Sequence, residues 1–344
     1  MSKIIVLVCL LVLSSCGSRD SETRQADQAI AEPIIEEVVL YCSADLAIAE
    51  PIIEEFEKVS GIKVLARYDT EASKTVGLVQ KIRAEADKPF CDVFWSSEVF
   101  HTIQMANEGL LVKYSGINPA DWPKTYRDDG GMWFGFGVRS RVIAYNTDKI
   151  SEADAPKTLE DLLKPEFKGR IAMARPVAGT TIGDVASWFV HYGDERGKEI
   201  LQGLKDNKVL LVDGNSTAVR MIATSQADIC LTDTDDVYAG QRNGWTIKMN
   251  MLDQGGDGAL AIPNTAAMIK SGPNPEAAKI LMDFLLSKRL EEMLIESDSH
   301  NSPLNKDLQQ EHPEYSIVKP LEIEFEQVAK KMPDAIKAAL EILD

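Results

Sequence analysis

The sequence predicts an α/β protein built from two lobes. Its 344 residues are long for one ordinary domain. Short apolar runs typical of buried strands alternate with segments of helical periodicity, first between residues 38 and 109 and again after Arg139. This alternation indicates largely parallel sheets covered by helices on both faces. Extended crossovers between the lobes are expected near residues 134–144 and 258–268.

The first half of the chain contains three strand–helix units. Ile52, Ile53, Phe56 and Val59 recur at helical spacing, and Gly61 provides a helix stop. The predicted strands are residues 38–41, 62–66 and 93–95, and the other predicted helices are 74–87 and 99–107.

The second half repeats the pattern with shorter elements. Strands are predicted at 142–145, 171–173, 209–212, 229–231, 258–262 and 266–269. Helices are predicted at 158–163, around 182–189, at 218–225, 275–286, 321–328 and 335–343.

The N-terminus has the features of an export signal. Lys3 precedes an apolar run at residues 4–13, which is too short to span a bilayer, and small residues follow. Leu13-Ser14-Ser15-Cys16 resembles a bacterial lipobox, which predicts a signal peptide at 1–15 and a lipid on Cys16. A plain secretory signal is the alternative.

Residues 16–37 are polar and acidic, as expected of a tether. Residues 29–37 recur at 47–55, and a local duplication explains this single repeat.

The charge and cysteine content exclude several classes of protein. The net charge of −17 argues against a nucleic-acid partner, because phosphates need a positive surface. Cys42, Cys91 and Cys230 are far apart in the sequence and lack zinc-site spacing, so we expect buried, unpaired thiols.

Four segments resemble a known family. They are Tyr41-Cys42-Ser43-Ala44-Asp45, residues 56–64 (FEKVSGIKV), residues 91–98 (CDVFWSSE) and residues 142–146 (VIAYN). Together they resemble the family 1 extracellular solute-binding proteins, most closely the ferric-iron-binding branch. The resemblance implies a type II periplasmic-binding-protein fold, with lobe 1 at 38–138 and 264–344 and lobe 2 at 139–263. It also implies hinge closure on a ligand that is then presented to an ABC permease.

The site residues of that branch are only partly present in this sequence. Where the iron proteins have two adjacent tyrosines, this chain has Asp235-Asp236. Asp45 corresponds to the family's histidine ligand, Ser97 or Glu98 to its acidic ligand, and Tyr145 to a tyrosine used by some members. Carboxylates can hold Fe³⁺, Ca²⁺ or Mn²⁺, so bound iron with an accompanying anion remains the first expectation.

Two short segments suit an anion. Gly179-Thr180-Thr181 and Asn215-Ser216 each come just before or at the start of a predicted helix, where free N–H groups and the helix dipole favour negative charge. The alternative is that Thr181 and Ser216 are ordinary helix N-caps.

Other polar residues are expected at the same edge of the sheet. Ser43, Thr70 and Ser97 follow predicted strands, and open α/β sheets bind ligands at the carboxyl ends of their strands. Asp233, Asp235 and Asp236 repel one another unless a cation, an amine or hydroxyl donors neutralise them; a solvated acidic turn is the alternative. Arg139 is expected to pair with an anion or with one of these aspartates.

We therefore expect a lipid-anchored substrate-binding protein of an ABC importer, facing the periplasm or the cell exterior. Its first candidate ligand is ferric iron with an anion; an aminophosphonate or other organophosphonate and a polyol or sugar are alternatives. The membrane contact would be the lipid anchor alone. A secreted hydrolase using two carboxylates is the alternative of a different class. The sequence has no G-x-S-x-G, H-E-x-x-H or P-loop motif, so no catalytic cofactor or enzymatic activity is expected.

Overall fold

The computed structural model describes residues 37–69 and 73–344. Residues Ile35–Asp344 form one compact unit. The predicted signal peptide, Cys16, nearly all of the tether, the first repeat copy except for its last residue, and Thr70 lie outside the described residues. None of the described helices has the length and apolarity that a membrane span requires.

The first part of the chain follows the predicted strand and helix order. The strands are β1 (Glu37–Cys42), β2 (Lys63–Tyr68), β3 (Val93–Ser96) and the short β4 (Leu111–Val112). The helices between them are α1 (Leu46–Ser60), α2 (Val76–Ala84) and α3 (Phe100–Asn107). Gly61 ends α1 in the left-handed conformation with φ 71°, as its position predicted.

The middle of the chain begins with a long buried strand, β5 (Phe134–Asn146). The next elements are α4 (Leu159–Leu162), β6 (Ile171–Ala174), α5 (Gly179–Tyr192), α6 (Asp194–Asp206), β7 (Leu210–Val212), α7 (Asn215–Ala223), β8 (Ile229–Asp233), α8 (Thr234–Arg242) and β9 (Ile247–Met251).

The last part contains a second long buried strand, β10 (Ala261–Ile269). The helices α9 (Pro275–Leu285), α10 (Lys288–Glu296), α11 (Lys306–Glu311) and α12 (Phe325–Leu343) complete the chain.

The described strands form one sheet in the order β2-β1-β3-β10-β5-β8-β6-β7, with β4 on β10 and β9 on β5. β1 pairs in parallel with β2 and β3, and β6 pairs in parallel with β7 and β8. We call β2-β1-β3 the first half-sheet and β8-β6-β7 the second. The prediction of largely parallel sheets is therefore confirmed for both half-sheets.

The centre of the sheet is antiparallel. β10 pairs antiparallel with β3 and β5, and β5 pairs antiparallel with β8 and β9. These two long strands coincide with the predicted crossovers and join the half-sheets. Helix α12 packs against α3 beside the first half-sheet and against α5 and α6 beside the second.

Several sequence predictions need correction. Residues 321–324 are not helical, and α12 is one continuous helix rather than two segments. Helix α6 and strand β9 were not predicted, and α8 begins where an acidic turn was considered. The apolar face of α6 consists of only a few residues among many charges, which hides its periodicity.

Candidate functional site

A small cavity lies where five parallel strands end. Asp45 follows β1, Ser97 follows β3, Ala174 ends β6, Asp213 follows β7 and Asp233 ends β8. The cavity, here called the inner cavity, has a volume of about 30 Å³. Its other lining residues are Lys74, Arg139, Ala178, Gly179, Thr180, Thr181, Gly214, Asn215, Asp235 and Asp236. This is the edge at which open α/β sheets bind ligands.

Asp233 is held by three donors. Arg141 Nη1 donates to its Oδ1 at 2.7 Å, and Asn215 Nδ2 donates to its Oδ2 at 2.9 Å. The Thr180 hydroxyl also donates to Oδ2. Asp233 therefore fixes two residues of the predicted anion segments, and its own charge is already balanced by Arg141.

The arginine behind Asp233 is fully buried. β5 and β8 pair antiparallel with Arg141 opposite Asp233, and Arg141 Nε also donates to Asp184 at 3.0 Å. Burial alone would lower the pKa of Arg141, but the carboxylates of Asp233 and Asp184 outweigh it and raise that pKa. Burial raises the pKa of Asp184 despite its contact with Arg141.

Asp235 and Asp236 occupy the first turn of α8. Arg139 Nη1 lies 2.9 Å from Asp235 Oδ2, while Asp235 Oδ1 is buried and has no hydrogen-bond partner within the described chain. Asp236 accepts a hydrogen bond from Thr232 Oγ1 at 3.0 Å. Burial, followed by repulsion between aspartates, raises the pKa of Asp236 well above its usual value. Burial also raises the pKa of Asp235, against the effect of Arg139.

The negative charge at this point is concentrated. One carboxylate oxygen from each of Asp233, Asp235 and Asp236 lies within 4.8 Å of the others. The alternative of a solvated acidic turn is wrong, because Asp233 and Asp235 are buried and Asp236 is half-buried.

Three helices begin at the inner cavity without a side-chain cap. Their N-cap residues are Ala178 for α5, Gly214 for α7 and Asp233 for α8. The alternative that Thr181 and Ser216 are N-caps is therefore wrong. Thr181 Oγ1 instead donates to Asn215 Oδ1 at 3.0 Å, which joins the starts of α5 and α7.

Lys74 contacts residues beside both half-sheets. Its Nζ lies 2.6 Å from Asp45 Oδ1, and its carbonyl accepts the backbone N–H of Gly179 at 3.3 Å. Burial would raise the pKa of Asp45, but Lys74 outweighs burial and holds that pKa below its usual value. Behind this pair, the Ser43 hydroxyl accepts the N–H of Ser97 at 2.8 Å and the hydroxyl of Thr75 at 3.0 Å.

Comparisons with known proteins identify the family of this chain. Residues 88–325 match the sequence model of a family described as bacterial extracellular solute-binding protein. The chain belongs to that family. This solute-binding protein is 26% identical over 318 residues to iron uptake protein A1 of Synechocystis sp., covering 88% of this chain and 85% of the relative. It is 26% identical over 292 residues to the Fe(3+)-binding periplasmic protein of Serratia marcescens, covering 83% of this chain and 82% of the relative.

Solved structures confirm the fold. Iron-bound HitA from Pseudomonas aeruginosa matches with a TM-score of 0.81 and 25% identity, covering 89% of this chain and 99% of HitA. The ferric binding protein from Campylobacter jejuni matches with a TM-score of 0.79 and 24% identity, covering 89% of this chain and 99% of the Campylobacter protein. The solute-binding protein therefore has the predicted type II periplasmic-binding-protein fold.

Some predicted site residues of the solute-binding protein lie elsewhere. Glu98 is fully buried, and its Oε2 accepts the N–H of Phe100 at 2.6 Å, so it stabilises the start of α3 instead of lining the inner cavity. Tyr145 pairs with Ile229 at the opposite end of β8 from Asp233 and is buried in the core, so it cannot join the aspartates as a metal ligand. Ser43 lies behind Ser97, and Ser216 lines a neighbouring cavity.

Three residues at the site were missed by the sequence analysis. Lys74 and Asp213 line the inner cavity, and Arg141 supports it. Arg141 lies two residues after Arg139 on a strand, so both side chains project from the same face. That spacing was a visible signal for Arg141. Lys74 has no comparable signal, because its contact with Gly179 depends on how the two half-sheets meet.

Proposed function

We propose that this solute-binding protein captures ferric iron together with an anion and presents them to the permease of an ABC importer. The observation that carries the proposal is the convergence of Asp233, Asp235 and Asp236. The names of the two relatives, an iron uptake protein and an Fe(3+)-binding protein, support the choice of metal.

The charge of the inner cavity favours a cation. Five aspartates line it, against one lysine and one arginine, and Arg141 lies behind them. Like charges at this distance repel one another, so a bound cation would stabilise the ionised carboxylates. The unpartnered Oδ1 of Asp235 and the carboxylate of Asp236 are the proposed metal ligands, since Asp233 already has three donors.

The accompanying anion would occupy the opposite wall. There the N-termini of α5 and α7 meet, and Thr180, Thr181 and Asn215 supply side-chain donors. Arg139 and Lys74 would add positive charge close to both ions. An anion at this wall would complete the coordination of a metal held by two carboxylates.

Among the described residues that line the inner cavity, none is a tyrosine. Iron would therefore be bound by carboxylates and the anion without phenolate ligands. Carboxylate sites also accept Ca²⁺ and Mn²⁺, so we propose lower selectivity for iron than a phenolate site would give.

A zwitterion such as an aminophosphonate is the second candidate. The ion pairs of Lys74 with Asp45 and of Arg139 with Asp235 favour it, because they show that nitrogen cations fit among these carboxylates. The amine would replace one of these cations beside Asp236, and the phosphonate would lie at the starts of α5 and α7.

The mode of action follows from the fold. We propose that lobe 1 (38–138 and 264–344) and lobe 2 (139–263) close on the ligand about β5 and β10. We also propose attachment to an extracytoplasmic membrane face through a lipid on Cys16. We propose a binding role without catalysis, because Arg141 and Arg139 engage Asp233 and Asp235, the two buried carboxylates of the aspartate cluster.

The test is ligand binding by the purified full chain. We would measure thermal shifts and native masses after chelation, adding ferric nitrilotriacetate, CaCl₂, MnCl₂ or 2-aminoethylphosphonate. A ligand at 100 times its Kd should stabilise the folded state by about 2.7 kcal/mol. Asp236→Asn should abolish most of the iron-dependent shift, whereas Asp87→Asn, at an exposed position, should leave it unchanged.

The outcomes separate the candidates. A shift with iron that is lost in Asp236→Asn supports the first candidate. A shift with 2-aminoethylphosphonate and none with iron replaces it with the second. Turnover of an ester or a glycoside by the wild type would contradict the binding role.

A further inference from the structure

Thr75 has a backbone conformation that is unusual for its residue type. Its φ is 71° and its ψ is −50°, close to the classic γ-turn, which is rare and strained. Among the described residues other than glycine that have a positive φ, Thr75 is the one that is both β-branched and buried. A positive φ is disfavoured for a β-branched residue, because its side chain crowds the backbone. The surrounding structure must therefore hold Thr75 in this conformation.

The hydroxyl of Thr75 is the group that holds it. Thr75 is 0% exposed, and although it is the N-cap residue of α2, its side chain does not cap that helix. The hydroxyl instead donates to Ser43 Oγ at 3.0 Å and lies 3.4 Å from Ser97 Oγ. Ser43 follows β1 and Ser97 follows β3, and the N–H of Ser97 donates to Ser43 Oγ at 2.8 Å. The side chain of Thr75 is thereby attached to the ends of two strands of the first half-sheet.

The φ angle of Thr75 sets the direction of the Lys74 carbonyl. This angle describes rotation about the N–Cα bond of Thr75, and the Lys74 carbonyl belongs to the planar peptide unit on one side of that bond. Helix α2 lies on the other side. With φ at 71°, the Lys74 carbonyl accepts the N–H of Gly179 at 3.3 Å, beside the second half-sheet. The negative φ that threonine prefers would turn this carbonyl away from Gly179.

Lys74 links this backbone to the ligand site. Its side chain lines the inner cavity, is only 19% exposed, and places Nζ 2.6 Å from Asp45 Oδ1. Thr75 is not among the described residues that line the inner cavity. An effect of Thr75 on a ligand in that cavity would therefore act through Lys74.

We propose that Thr75 is a positioning residue for the ligand site. Its hydroxyl holds the strained backbone against the ends of β1 and β3, and this backbone places Lys74 between Asp45 and Gly179. The inference rests on the proposed function for its effect on ligand affinity, and it extends that function to a residue outside the cavity. The contact between Lys74 and Gly179 can be measured without a ligand, so the positioning role has a test of its own.

The experiment contrasts two substitutions that remove the same hydroxyl. Thr75→Ala keeps a Cβ atom, so the positive φ remains unfavourable while the group that held it is gone. Thr75→Gly has no Cβ atom and adopts a positive φ readily. Thr75→Ser keeps the hydroxyl. The matched control is Thr102→Ala, because Thr102 is also 0% exposed and its hydroxyl lies 2.7 Å from that of Thr265, away from the inner cavity.

The first measurement is hydrogen exchange of the Gly179 amide in the ligand-free full chain, followed by mass spectrometry of overlapping peptides. Gly179 is the first residue of α5, so its N–H has no partner within the helix and depends on the Lys74 carbonyl. We expect Thr75→Ala to exchange about tenfold faster than the wild type, the factor that corresponds to one strained residue. Thr75→Gly and Thr75→Ser should stay within about threefold of the wild type, since neither leaves an unsupported positive φ on a residue that resists it. Thr102→Ala should not change the rate.

The second measurement is the apparent Kd for ferric nitrilotriacetate, obtained by isothermal titration calorimetry. Thr75→Ala should weaken binding by about tenfold, whereas Thr75→Gly and Thr102→Ala should bind nearly as the wild type does. In a Lys74→Ala background, Thr75→Ala should cause no further loss, because both substitutions act through the same side chain. A purely structural role of Thr75 would lower the melting temperature without producing this pattern.

Equal exchange rates of the Gly179 amide in Thr75→Ala and Thr75→Gly would overturn the positioning role, because the hydroxyl would then act only as an ordinary hydrogen-bonding group. A Gly179 amide that is unprotected in the wild type would overturn it as well. So would a full tenfold effect of Thr75→Ala in the Lys74→Ala background. If the wild type fails to bind ferric nitrilotriacetate, the proposed function is wrong, and the exchange rates still decide the role of Thr75.

Discussion

Arg141→Met is a direct test of the electrostatic support beneath the site. The substitution removes the guanidinium between Asp184 and Asp233, whose contacts are 3.0 Å and 2.7 Å. Methionine fills part of the same volume with an apolar chain. Because Arg141 is 0% exposed, water cannot replace the lost charge without opening the core.

The size of the effect follows from burial. Breaking a buried ion pair by removing one partner costs about 3–5 kcal/mol, because the remaining charges stay uncompensated. Unfolding entropy is about 2.1 cal/mol/K per residue, so for the compact unit Ile35–Asp344 the melting temperature should fall by about 5–8 °C.

The assay is calorimetric unfolding at pH 7 in the presence of a chelator. Arg196→Met is the matched control, since Arg196 also contacts two carboxylates, Glu160 and Glu199, but on the surface. Exposed pairs contribute at most about 1 kcal/mol, so the control should melt within about 1.5 °C of the wild type.

Two results would refute this reasoning. One is an equal loss of stability in Arg141→Met and Arg196→Met. The other concerns the double variant Arg141→Met/Asp184→Leu. It removes one of the two carboxylates left without a cation, so it should be more stable than the single variant Arg141→Met. A double variant that is less stable would show that the guanidinium acts through packing and not through charge.

Three further predictions concern protonation, packing and thiol reactivity. Because the pKa of Asp236 is raised on folding, its protonation favours the folded state, and this contribution is lost as pH rises through the folded pKa. Without ligand, Asp236→Asn should therefore melt at a higher temperature than the wild type at pH 7, and this difference should shrink towards pH ~4. A difference that stays constant with pH would contradict the raised pKa of Asp236. Gly183→Ala should lower the free energy of unfolding by about 1–3 kcal/mol, because the new methyl would lie 2.0 Å from a ring carbon of Phe100. Calorimetric melts measure this loss. The control Gly255→Ala, where the new methyl would enter open space, should leave stability nearly unchanged. Burial raises the pKa of the thiols of Cys42, Cys91 and Cys230. Peptide mapping should therefore find iodoacetamide adducts on these three cysteines only after denaturation. Labelling of the native protein would disprove their burial.

The alternation of strands and helices was predictable because each strand is locally apolar and each helix has a periodic face. The strands at the centre of the sheet were less predictable from the sequence. β5 has 13 buried residues, but its polar positions Arg139, Ser140 and Arg141 interrupt the apolar run that marks a strand. In the sheet, β10 pairs with Arg139 and Ser140, and β8 pairs with Arg141, so their burial is a property of the tertiary structure.

The candidate site was predictable to the extent that its residues follow strands or start helices. Thr180 and Asn215 were identified on that basis, Asp235 was identified from the family resemblance and the crowding of aspartates, and the structure brings all three to one cavity. Glu98 was misplaced because a glutamate after a strand can turn back to the next helix N-terminus, as this one does. Tyr145 was misplaced because the antiparallel register, which puts it opposite Ile229, is not visible in the sequence.

The position of β10 between β3 and β5 has a consequence for how the protein is made. β3 ends at Ser96, but the strand that covers its edge begins only at Ala261. At about 5–20 residues per second, a ribosome needs roughly 8–33 s to produce the intervening chain. During that interval the first half-sheet lacks its neighbour and cannot complete its core. If the chain is exported as proposed, this delay would keep its first part unfolded while the chain crosses the membrane.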